Sequence, residues 1–493
     1  MLKPDSECVA YDSEVIFVKG ITDEESGNFS DINIINGVSY IFGIADELKK
    51  PAVVNLSLGG MIGPHDGMDL LSYALSEMVR KGRLIVASAG NEGEMPMHAG
   101  GAVKEGETVE FPIFPQNLCE MLDDLCPDIP NYFMTGADAW FAAESFDSVT
   151  LAAYTMGQTG LEIAKEFTFP IESAFAETMI YDENNNPLGA INYNYVPEFP
   201  TNGDANMFLL LHNLGNTNIP VDKYIWSIIL KAKKNTEVNI WAGVPIPAAI
   251  PFEPMVGTKY FTGNTLMTVG APGSGRNIIS AGSFVTKNEW TDKNSTLVQR
   301  GWIKGDISTF SSKGPTRDGR YAPHITAPGQ VIFAAKSKDA EFSELYTLEG
   351  DLLGGMNGTS MAAPIVAGSV AAMLEAWETA TYSAVAQAIA VTAFSDNKTG
   401  TTPNYVWGYG KLNAGAAFNK MFNNSVSDNQ ENELLIYPNP SSDYVIIPSD
   451  NYSVFNSLGQ KIGDYSSSNL DISHYTPGVY FVRVGNKILK FVK

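Results

Sequence analysis

A string of small residues from Gly358 to Pro364 (Gly-Thr-Ser-Met-Ala-Ala-Pro) runs without a break into an apolar segment that ends at Leu374. The alanines let a helix lie close against a neighbouring element, and the glycine admits close approach to the serine. Thr359 and Ser360, taken alone, are residue types that cap ordinary helices. The whole string instead presents a hydroxyl at the mouth of a helix, and we predict that Ser360 is a nucleophile.

Short apolar runs alternate with helical periodicity along the first part of the chain. The runs lie at 14–19, 53–58 and 84–89, and the spacing of apolar residues between them is helical over 31–49 and 68–81. Short buried strands separated by amphipathic helices predict a parallel sheet. In such sheets, ligands bind beyond the carboxyl ends of the strands. Functional residues are therefore expected directly after 53–58 and 84–89.

Two glycine-containing strings occupy those positions. Ser57, Leu58, Gly59 and Gly60 lie at the end of the first run and directly after it, and Gly90 and Asn91 follow the second run. Backbone exposed beside two glycines is able to pair with an extended peptide, although the same residues also form plain turns. An asparagine amide in such a loop is able to stabilise a developing oxyanion, although most loop asparagines have no such role. Each string taken alone leaves both interpretations open.

In this order along the chain, the three strings resemble the substrate-binding strand, the oxyanion-hole asparagine and the nucleophile signature of the subtilisin-like serine peptidases. The resemblance implies an α/β fold with a parallel sheet flanked by helices. It also implies a serine endopeptidase that acts on protein or peptide substrates. In that enzyme Ser360 is the catalytic nucleophile, Asn91 belongs to the oxyanion hole, and Ser57–Gly60 together with Gly90 bind the substrate.

Residues 100–264 differ in character from the segments on either side. Short alternating runs, punctuated by glycine, proline and asparagine and without a convincing amphipathic helix, predict an inserted antiparallel β domain of sandwich or jelly-roll type. The subtilisin-like pattern covers 1–99 before this region and 265–420 after it. A β insertion at this place resembles the clostridial Csp-like branch of the family. Its role is left open between a structural prop and a modifier of access to the cleft.

The last part of the chain is typical of a linker followed by a small β domain. Residues 421–432 are polar and weakly patterned, and 433–493 contain alternating strand patterns with a basic end. The motifs Tyr-Pro-Asn-Pro (437–440) and Pro-Gly-Val-Tyr (477–480) resemble the type A sorting domain of the Bacteroidetes type IX secretion system. The resemblance implies that 433–493 bind the type IX secretion machinery and that the protein is extracellular or on the outer-membrane surface. An ordinary β accessory module is the alternative.

A serine nucleophile needs a base, and the resemblance implies a histidine held by an aspartate. Neither an Asp-Ser/Thr-Gly strand end nor a His-Gly-Thr-His helix start occurs in the sequence. The five histidines, none of which lies in the motif of a general base, are His65, His98, His212, His324 and His474.

The first residues also lack the apolar core of a signal peptide. We therefore expect an incomplete amino terminus rather than a degenerate enzyme, and a nearly inactive chain as written. The alternative function is a non-catalytic secreted binding or adhesion protein on the same scaffold.

Composition disfavours several classes of partner. The 32 Lys+Arg against 55 Asp+Glu give a formal net charge of −23, which repels nucleic acid and anionic membranes. No uninterrupted apolar stretch approaches the roughly 18–20 residues of a membrane-spanning helix. No metal site or cofactor is indicated, and structural calcium has no support in the sequence. Cys119 and Cys126 are as compatible with a disulfide as with two free thiols, and Cys8 stands alone.

Overall fold

A computed structural model describes residues 9–10, 12–20, 30–117, 132–157, 161–171, 174–214, 218–242, 258–348, 350–427, 436–439, 441–447, 449, 451–457, 460–485 and 487–493. The chain forms two compact units, Met1–Lys420 and Met421–Lys493. The predicted limits of the inserted β domain, 100 and 264, fall inside the first unit and stay a prediction. The three cysteines lie outside the described residues, so their pairing stays open.

The helices and strands of the first unit are numbered in chain order. The helices are α1 (Asp31–Leu48), α2 (Leu70–Met78), α3 (Thr359–Ala376), α4 (Tyr382–Thr392) and α5 (Ala414–Ser427), the last of which crosses the unit boundary. The strands are β1 (Ala52–Leu56), β2 (Arg83–Ser88), β3 (His98–Val103), β4 (Thr108–Ile113), β5 (Gln116–Asn117), β6 (Phe133–Ala142), β7 (Phe146–Met156), β8 (Leu161–Pro170), β9 (Ala174–Tyr181), β10 (Pro187–Val196), β11 (Asp204–His212), β12 (Ile225–Ala232), β13 (Thr236–Ala242), β14 (Thr258–Tyr260), β15 (Ile279–Val285), β16 (Glu289–Thr291), β17 (Leu297–Gln299), β18 (Ile325–Gln330), β19 (Ile332–Ala335) and β20 (Leu353–Met356).

The first unit is built around a four-stranded parallel sheet in the order β1-β2-β15-β18. Every residue of β2 is buried, as expected for a strand covered on both faces. Helices α1 and α2 pack on the sheet through an apolar cluster that includes Phe42, Leu75 and Ile85. Helix α3 packs against all four strands. The predicted parallel sheet flanked by helices is confirmed.

Polar caps set the starts of the first two helices. Ser30 Oγ accepts a hydrogen bond from Asn33 N (3.2 Å) at α1, and Asp69 Oδ1 accepts one from Ser72 N (2.7 Å) at α2. The periodicity predicts a helix over 68–81. The observed α2 is shorter at both ends, because Asp69 caps its start and the chain becomes extended at the residue that follows Met78.

The run 14–19 is not a strand, contrary to the prediction. Residues 13–20 have no regular secondary structure, and Val15 and Phe17 expose 84% and 87% of their surface. A strand needs a ladder of main-chain hydrogen bonds, and no described neighbour supplies one here. The segment contacts α1 through Val18, which lies beside Gly37. The strand prediction for 14–19 rested on apolar, β-branched composition, but the segment does not pair with another described strand.

Two further sheets are formed by strands between His98 and Tyr260. One has the order β3-β13-β6-β11-β10-β9 with β5 beside β6, and the other has the order β14-β4-β12-β7-β8. Their pairs are antiparallel except for β14 with β4. The two sheets share one apolar core, in which Phe111, Phe141 and Trp226 are fully buried. The predicted antiparallel sandwich is confirmed, and its described part contains no α-helix.

Helix α3 has the length and apolar composition of a membrane-spanning helix, although no apolar stretch of that length was expected from the sequence. Half of it is buried inside the protein, and it packs on the parallel sheet. The small residues of the segment, such as Ala362, Ala363 and Ala367, are buried at this contact. These contacts are those of a core helix.

The second unit is a small all-β domain. Its strands are β21 (Tyr444–Ile446), β22 (Tyr452–Asn456), β23 (Lys461–Tyr465), β24 (Asn469–Asp471), β25 (Val479–Val484) and β26 (Lys487–Val492). They form a two-stranded sheet, β21-β24, and a four-stranded sheet, β23-β22-β25-β26. One apolar core, with Val454, Val482 and Phe491 fully buried, joins both sheets, as the alternating pattern predicts.

Candidate active site

Ser360 is the second residue of α3, and its side chain does not cap that helix. Gly358 occupies the cap position with φ of 151°, a value that favours glycine, and the helix has no side-chain cap there. Ser360 Oγ instead donates to the Ser57 carbonyl after β1 (3.3 Å). In return, Ser57 Oγ donates to the Ser360 carbonyl (2.6 Å). The fold thus brings together two predicted site residues that are far apart in the sequence.

Thr359 joins the start of α3 to the loop after β2. Its side chain is buried. Its Oγ1 lies 3.1 Å from the Gly90 carbonyl oxygen and 3.1 Å from Asn91 Oδ1. The same Oγ1 accepts a hydrogen bond from Gly90 N (3.2 Å). Its main-chain N–H donates to Asn91 Oδ1 (3.0 Å). Sequence reasoning singled out Thr359 only as a possible cap. The available signal was a β-branched hydroxyl residue directly before the candidate nucleophile.

The two bonds from Thr359 fix the orientation of the exposed Asn91 side chain. Because Oδ1 accepts from a main-chain N–H, the amide nitrogen Nδ2 must lie on the other side. Nδ2 lies 3.7 Å from where a Cβ on Gly358 would be, next to the start of α3. The N–H groups in the first turn of a helix have no acceptor within the helix, and Ser360 N is among them. Two kinds of donor are therefore available beside the Ser360 hydroxyl.

In a polypeptide that carries the Asp and His motifs, we expect replacement of Asn91 by alanine to lower the rate of peptide-bond hydrolysis by about 10²–10³, the usual effect of removing one oxyanion donor. Asn91→Asp is the matched variant, because it keeps the acceptor for Thr359 but loses both N–H donors. Steady-state kinetics on a peptide substrate measure both. An Asp variant that hydrolyses as fast as the parent would exclude Asn91 from the oxyanion hole.

The segment Ser57–Gly60 is only partly free to pair with a peptide. Gly60 forms an antiparallel bridge with Ala271, which uses both its N–H and its carbonyl (2.9 and 3.0 Å). Gly59 lies so close to the same residue that an added Cβ would be 2.8 Å from the Ala271 oxygen. The main-chain groups of Gly60 thus bond Ala271, and its predicted peptide-pairing role stays a prediction. Ser57, Leu58 and Gly59 stay candidates for that role.

Gly90 holds the site together through its main chain. Its N–H donates to Thr359 Oγ1, and its carbonyl accepts from Ser312 N (3.1 Å). A Cβ at this position, where φ is +112°, would lie 2.7 Å from Ser312 Oγ. The polar main-chain groups of Gly90 thus have partners within the protein, and its predicted substrate-binding role stays a prediction.

The described histidines of the first unit make hydrogen bonds that lead away from Ser360. His65 bonds main-chain carbonyls through both ring nitrogens, His98 bonds the side chains of Asn239 and Asn264, and His324 bonds the Ala386 carbonyl. His212 Nδ1 lies near Tyr132 and Leu214. None of these bonds reaches Ser360, in agreement with the absence of a general-base motif.

The loop after Gly60 is held by the β sandwich. Gly63 N donates to Asp138 Oδ2 of β6 (2.7 Å), and Thr201 Oγ1 donates to the Met68 carbonyl. The His65 ring stacks on Trp241 of β13 with a centroid distance of 4.2 Å. The loop 61–69 therefore links the segment beside Ser360 to the inserted sheets.

A buried ion-pair cluster also joins the loop 61–69 to the inserted sheets. Arg317 Nη2 lies 2.5 Å from Asp66 Oδ2 in the loop and 2.6 Å from Asp204 Oδ2 in β11. Burial acts to lower the pKa of the Arg317 guanidinium, but the two carboxylates raise it above its usual value. Among the described residues, no group of three or more His, Cys, Asp or Glu side chains is placed to hold a metal ion.

We expect His65 to make folding pH-dependent. Burial lowers the pKa of His65 to about 4, against the raising effect of its bonds to Met61 and Val269. Because the unfolded chain binds a proton near pH 6.5 and the folded chain does not, stability falls as the pH drops from about 6.5 to about 4, by at most about 3 kcal/mol.

Urea unfolding of the parent and of His65→Gln at several pH values measures this difference. The parent is expected to lose more stability on acidification than the variant. His474→Gln, at an exposed position in the second unit, is the control and should follow the parent. Parallel curves for the parent and His65→Gln would contradict the assignment.

Comparisons with known proteins agree with this fold. The sequence model of the subtilase family matches residues 3–116 and 213–410, which is more than half of the chain. The chain belongs to the subtilase family. A second model, of the secretion system C-terminal sorting domain, matches 435–493. This subtilase therefore carries a sorting tail, and the predicted family and tail are both confirmed.

Curated relatives match part of this subtilase. An uncharacterized protein of Aquifex aeolicus (strain VF5) is 36% identical over 115 residues, which are 23% of this chain and 49% of that protein. Tripeptidyl-peptidase 2 of Drosophila melanogaster is 32% identical over 32% of this chain and 10% of that protein. Serine protease AprX of Bacillus subtilis (strain 168) is 31% identical over 23% of this chain and 24% of that protein. The chain thus spans about half, or less, of the length of these relatives.

The Clostridium perfringens CspB protease is similar to this subtilase in structure. The TM-score is 0.56 and the identity 21%, over 82% of this chain and 74% of that chain. At this identity the likeness concerns the fold alone. The expected resemblance to the Csp-like branch is confirmed at that level.

Proposed function

We propose that this subtilase is an exported serine endopeptidase whose nucleophile is Ser360. The observation that carries the proposal is the meeting of Ser360, Ser57 and the Asn91 loop at the ends of two neighbouring parallel strands. Ends of this kind are where ligands bind in parallel sheets. The reciprocal bonds between Ser57 and Ser360 put the candidate nucleophile beside the candidate peptide-binding segment.

In the proposed reaction, Ser360 Oγ attacks the carbonyl carbon of the scissile peptide bond. The carbonyl oxygen becomes an oxyanion, and Asn91 Nδ2 and Ser360 N donate hydrogen bonds to it. The positive end of the α3 dipole stabilises the same charge. Asn91 is held in advance by Thr359, so the donors need little rearrangement when charge develops.

The substrate is proposed to lie as an added strand along Ser57, Leu58 and Gly59. These residues continue β1, which is at one edge of the parallel sheet. Main-chain hydrogen bonds supply affinity in this mode without selecting a side chain. The proposed substrates are therefore extended segments of proteins or peptides.

A general base completes the proposed mechanism. Ser360 Oγ now donates to a carbonyl, and attack requires its proton to pass to a basic group instead. The resemblance assigns that role to a histidine held by an aspartate, within motifs that the 493 residues do not contain. We propose that the active enzyme includes an aspartate and a histidine in these two roles.

The sorting tail supports the proposal that the enzyme is exported. The match to the sorting-domain model over 435–493 coincides with the second compact unit. We propose that this unit binds the secretion machinery and that the endopeptidase acts on the cell surface or outside the cell.

The test combines gene sequence with active-site labelling. The first question is whether the open reading frame that contains these 493 codons also encodes an Asp-Ser/Thr-Gly and a His-Gly-Thr-His. The polypeptide that includes both motifs is then treated with a fluorophosphonate, and the adduct is mapped by mass spectrometry. An adduct on Ser360 supports the proposal. An in-frame stop directly before Met1, or an adduct at another residue, would favour the non-catalytic binding protein.

A further inference from the structure

A proline lies four positions after Ser360 in the same helix. In a regular α-helix, the carbonyl of one residue accepts from the N–H four residues later. For Ser360 that residue is Pro364, which has no N–H. The Ser360 carbonyl therefore has no donor from its own helix.

Ser57 supplies the missing donor from outside the helix. Its Oγ lies 2.6 Å from the Ser360 oxygen, a short bond for two neutral groups. Asn55 Nδ2 donates to the same Ser57 Oγ (3.0 Å). Since the hydroxyl accepts from Asn55, its single proton is directed at the Ser360 carbonyl.

We infer that the Ser57 hydroxyl is a positioning residue for the nucleophile and that Pro364 leaves the Ser360 carbonyl open for it. The inference rests on the proposed function of Ser360. Through this bond the Ser360 main chain is fixed against the end of β1, where the substrate is proposed to lie. The end of β1 thereby positions both the reacting hydroxyl and the proposed substrate backbone.

The two bonds between Ser57 and Ser360 have different roles in this arrangement. The bond from Ser360 Oγ to the Ser57 carbonyl is long (3.3 Å) and involves the reacting hydroxyl, so it breaks during attack. The bond from Ser57 Oγ ends on a main-chain oxygen that does not react. It therefore persists through the reaction and keeps the Ser360 backbone in place.

The first experiment is a double-mutant cycle on unfolding, which needs no catalytic activity. Ser57→Ala should lower the urea midpoint of residues 1–493. Pro364→Ala gives the Ser360 carbonyl an alternative donor from its own helix. In that background, Ser57→Ala should shift the midpoint by less than about half as much. Equal shifts in both backgrounds would overturn the inference.

The second experiment measures how fast a fluorophosphonate modifies Ser360, by intact mass, in the polypeptide that carries the Asp and His motifs. Ser57→Ala should slow modification by about 5–10-fold, the effect of losing one hydrogen bond of roughly ordinary strength. Ser57→Thr keeps the hydroxyl and should recover most of the rate. A general loss of stability would not be rescued in this way.

The outcomes separate the two proposals. If the parent gives no adduct on Ser360, the proposed function fails, and the unfolding cycle alone decides whether Ser57 and Pro364 are coupled. If the parent is modified and Ser57→Ala is modified equally fast, the positioning role is wrong while the nucleophile assignment stands.

Discussion

In a polypeptide that carries the Asp and His motifs, replacement of Ser360 by alanine is expected to reduce fluorophosphonate labelling to background. The probe forms a covalent bond with an activated serine oxygen, and Ser360→Ala removes the hydroxyl that donates to the Ser57 carbonyl beside the Asn91 loop. Peptide hydrolysis should fall by about 10⁶, the usual effect of losing the nucleophile of a serine protease. Gel fluorescence after labelling and steady-state hydrolysis measure the two effects.

Ser369→Ala is the matched control for this experiment. Ser369 lies on the same helix, is buried, and donates to the Ile365 carbonyl within α3 (2.9 Å). Its removal should leave labelling unchanged. Equal labelling of Ser360→Ala and the parent would remove Ser360 from the active site, whatever the fold.

The parallel sheet was predictable because its strands are buried on both faces. β2 consists of apolar or small residues after its first position, all of them buried. Helices with clear periodicity lie on each side of β1 in the sequence. Composition alone failed at 14–19, since strand formation depends on a partner that a local pattern does not reveal.

The residues of the site were predictable where a motif carries them. Ser360 and Asn91 follow from strings whose spacing resembles that of subtilisin-like peptidases, and the fold brings their loops into contact. The contributions of Thr359 and Pro364 were not predictable. Thr359 acts through a hydrogen bond to the main chain of Gly90, which is distant in the sequence. Pro364 acts through the main-chain N–H that it lacks.

Glycines gave the least specific sequence signal. Gly60 and Gly90 both lie after strands at the expected edge, and either could have offered free backbone to a peptide. In the structure their main-chain groups are bonded to Ala271, Thr359 and Ser312. A glycine required for close internal packing and a glycine required for substrate access have the same sequence signature.

The β sandwich has its clearest structural effect on the loop 61–69. This loop continues the segment that contacts Ser360, and it is bonded to β6, β11 and β13 through Asp138, the Arg317 ion pairs and Trp241. Burial raises the pKa of Asp138, against the lowering effect of its bonds to Gly63 and Asn206. Changes in the sandwich should therefore reach the loop beside the active site.

Trp241→Ala is expected to destabilise the first unit by about 3–5 kcal/mol, the usual effect of removing a buried tryptophan. Trp241 is 1% exposed, stacks on His65, and donates from Nε1 to the Met267 carbonyl (2.8 Å). The substitution removes all three kinds of contact at once: apolar burial, ring stacking and a hydrogen bond. Urea unfolding followed by far-ultraviolet circular dichroism measures the loss without relying on tryptophan fluorescence.

Trp241→Phe separates these contributions, because it keeps an aromatic face for His65 and loses the N–H donor. We expect it to retain more than half of the stability that Trp241→Ala loses. The pH-dependent difference assigned to His65 should shrink in Trp241→Ala, since opening the stack admits water and weakens the burial that lowers the pKa of His65. If Trp241→Ala matched the parent in both stability and pH dependence, the sandwich would not be holding the loop through this contact, and only Asp138, Thr201 and the Arg317 ion pairs would remain to do so.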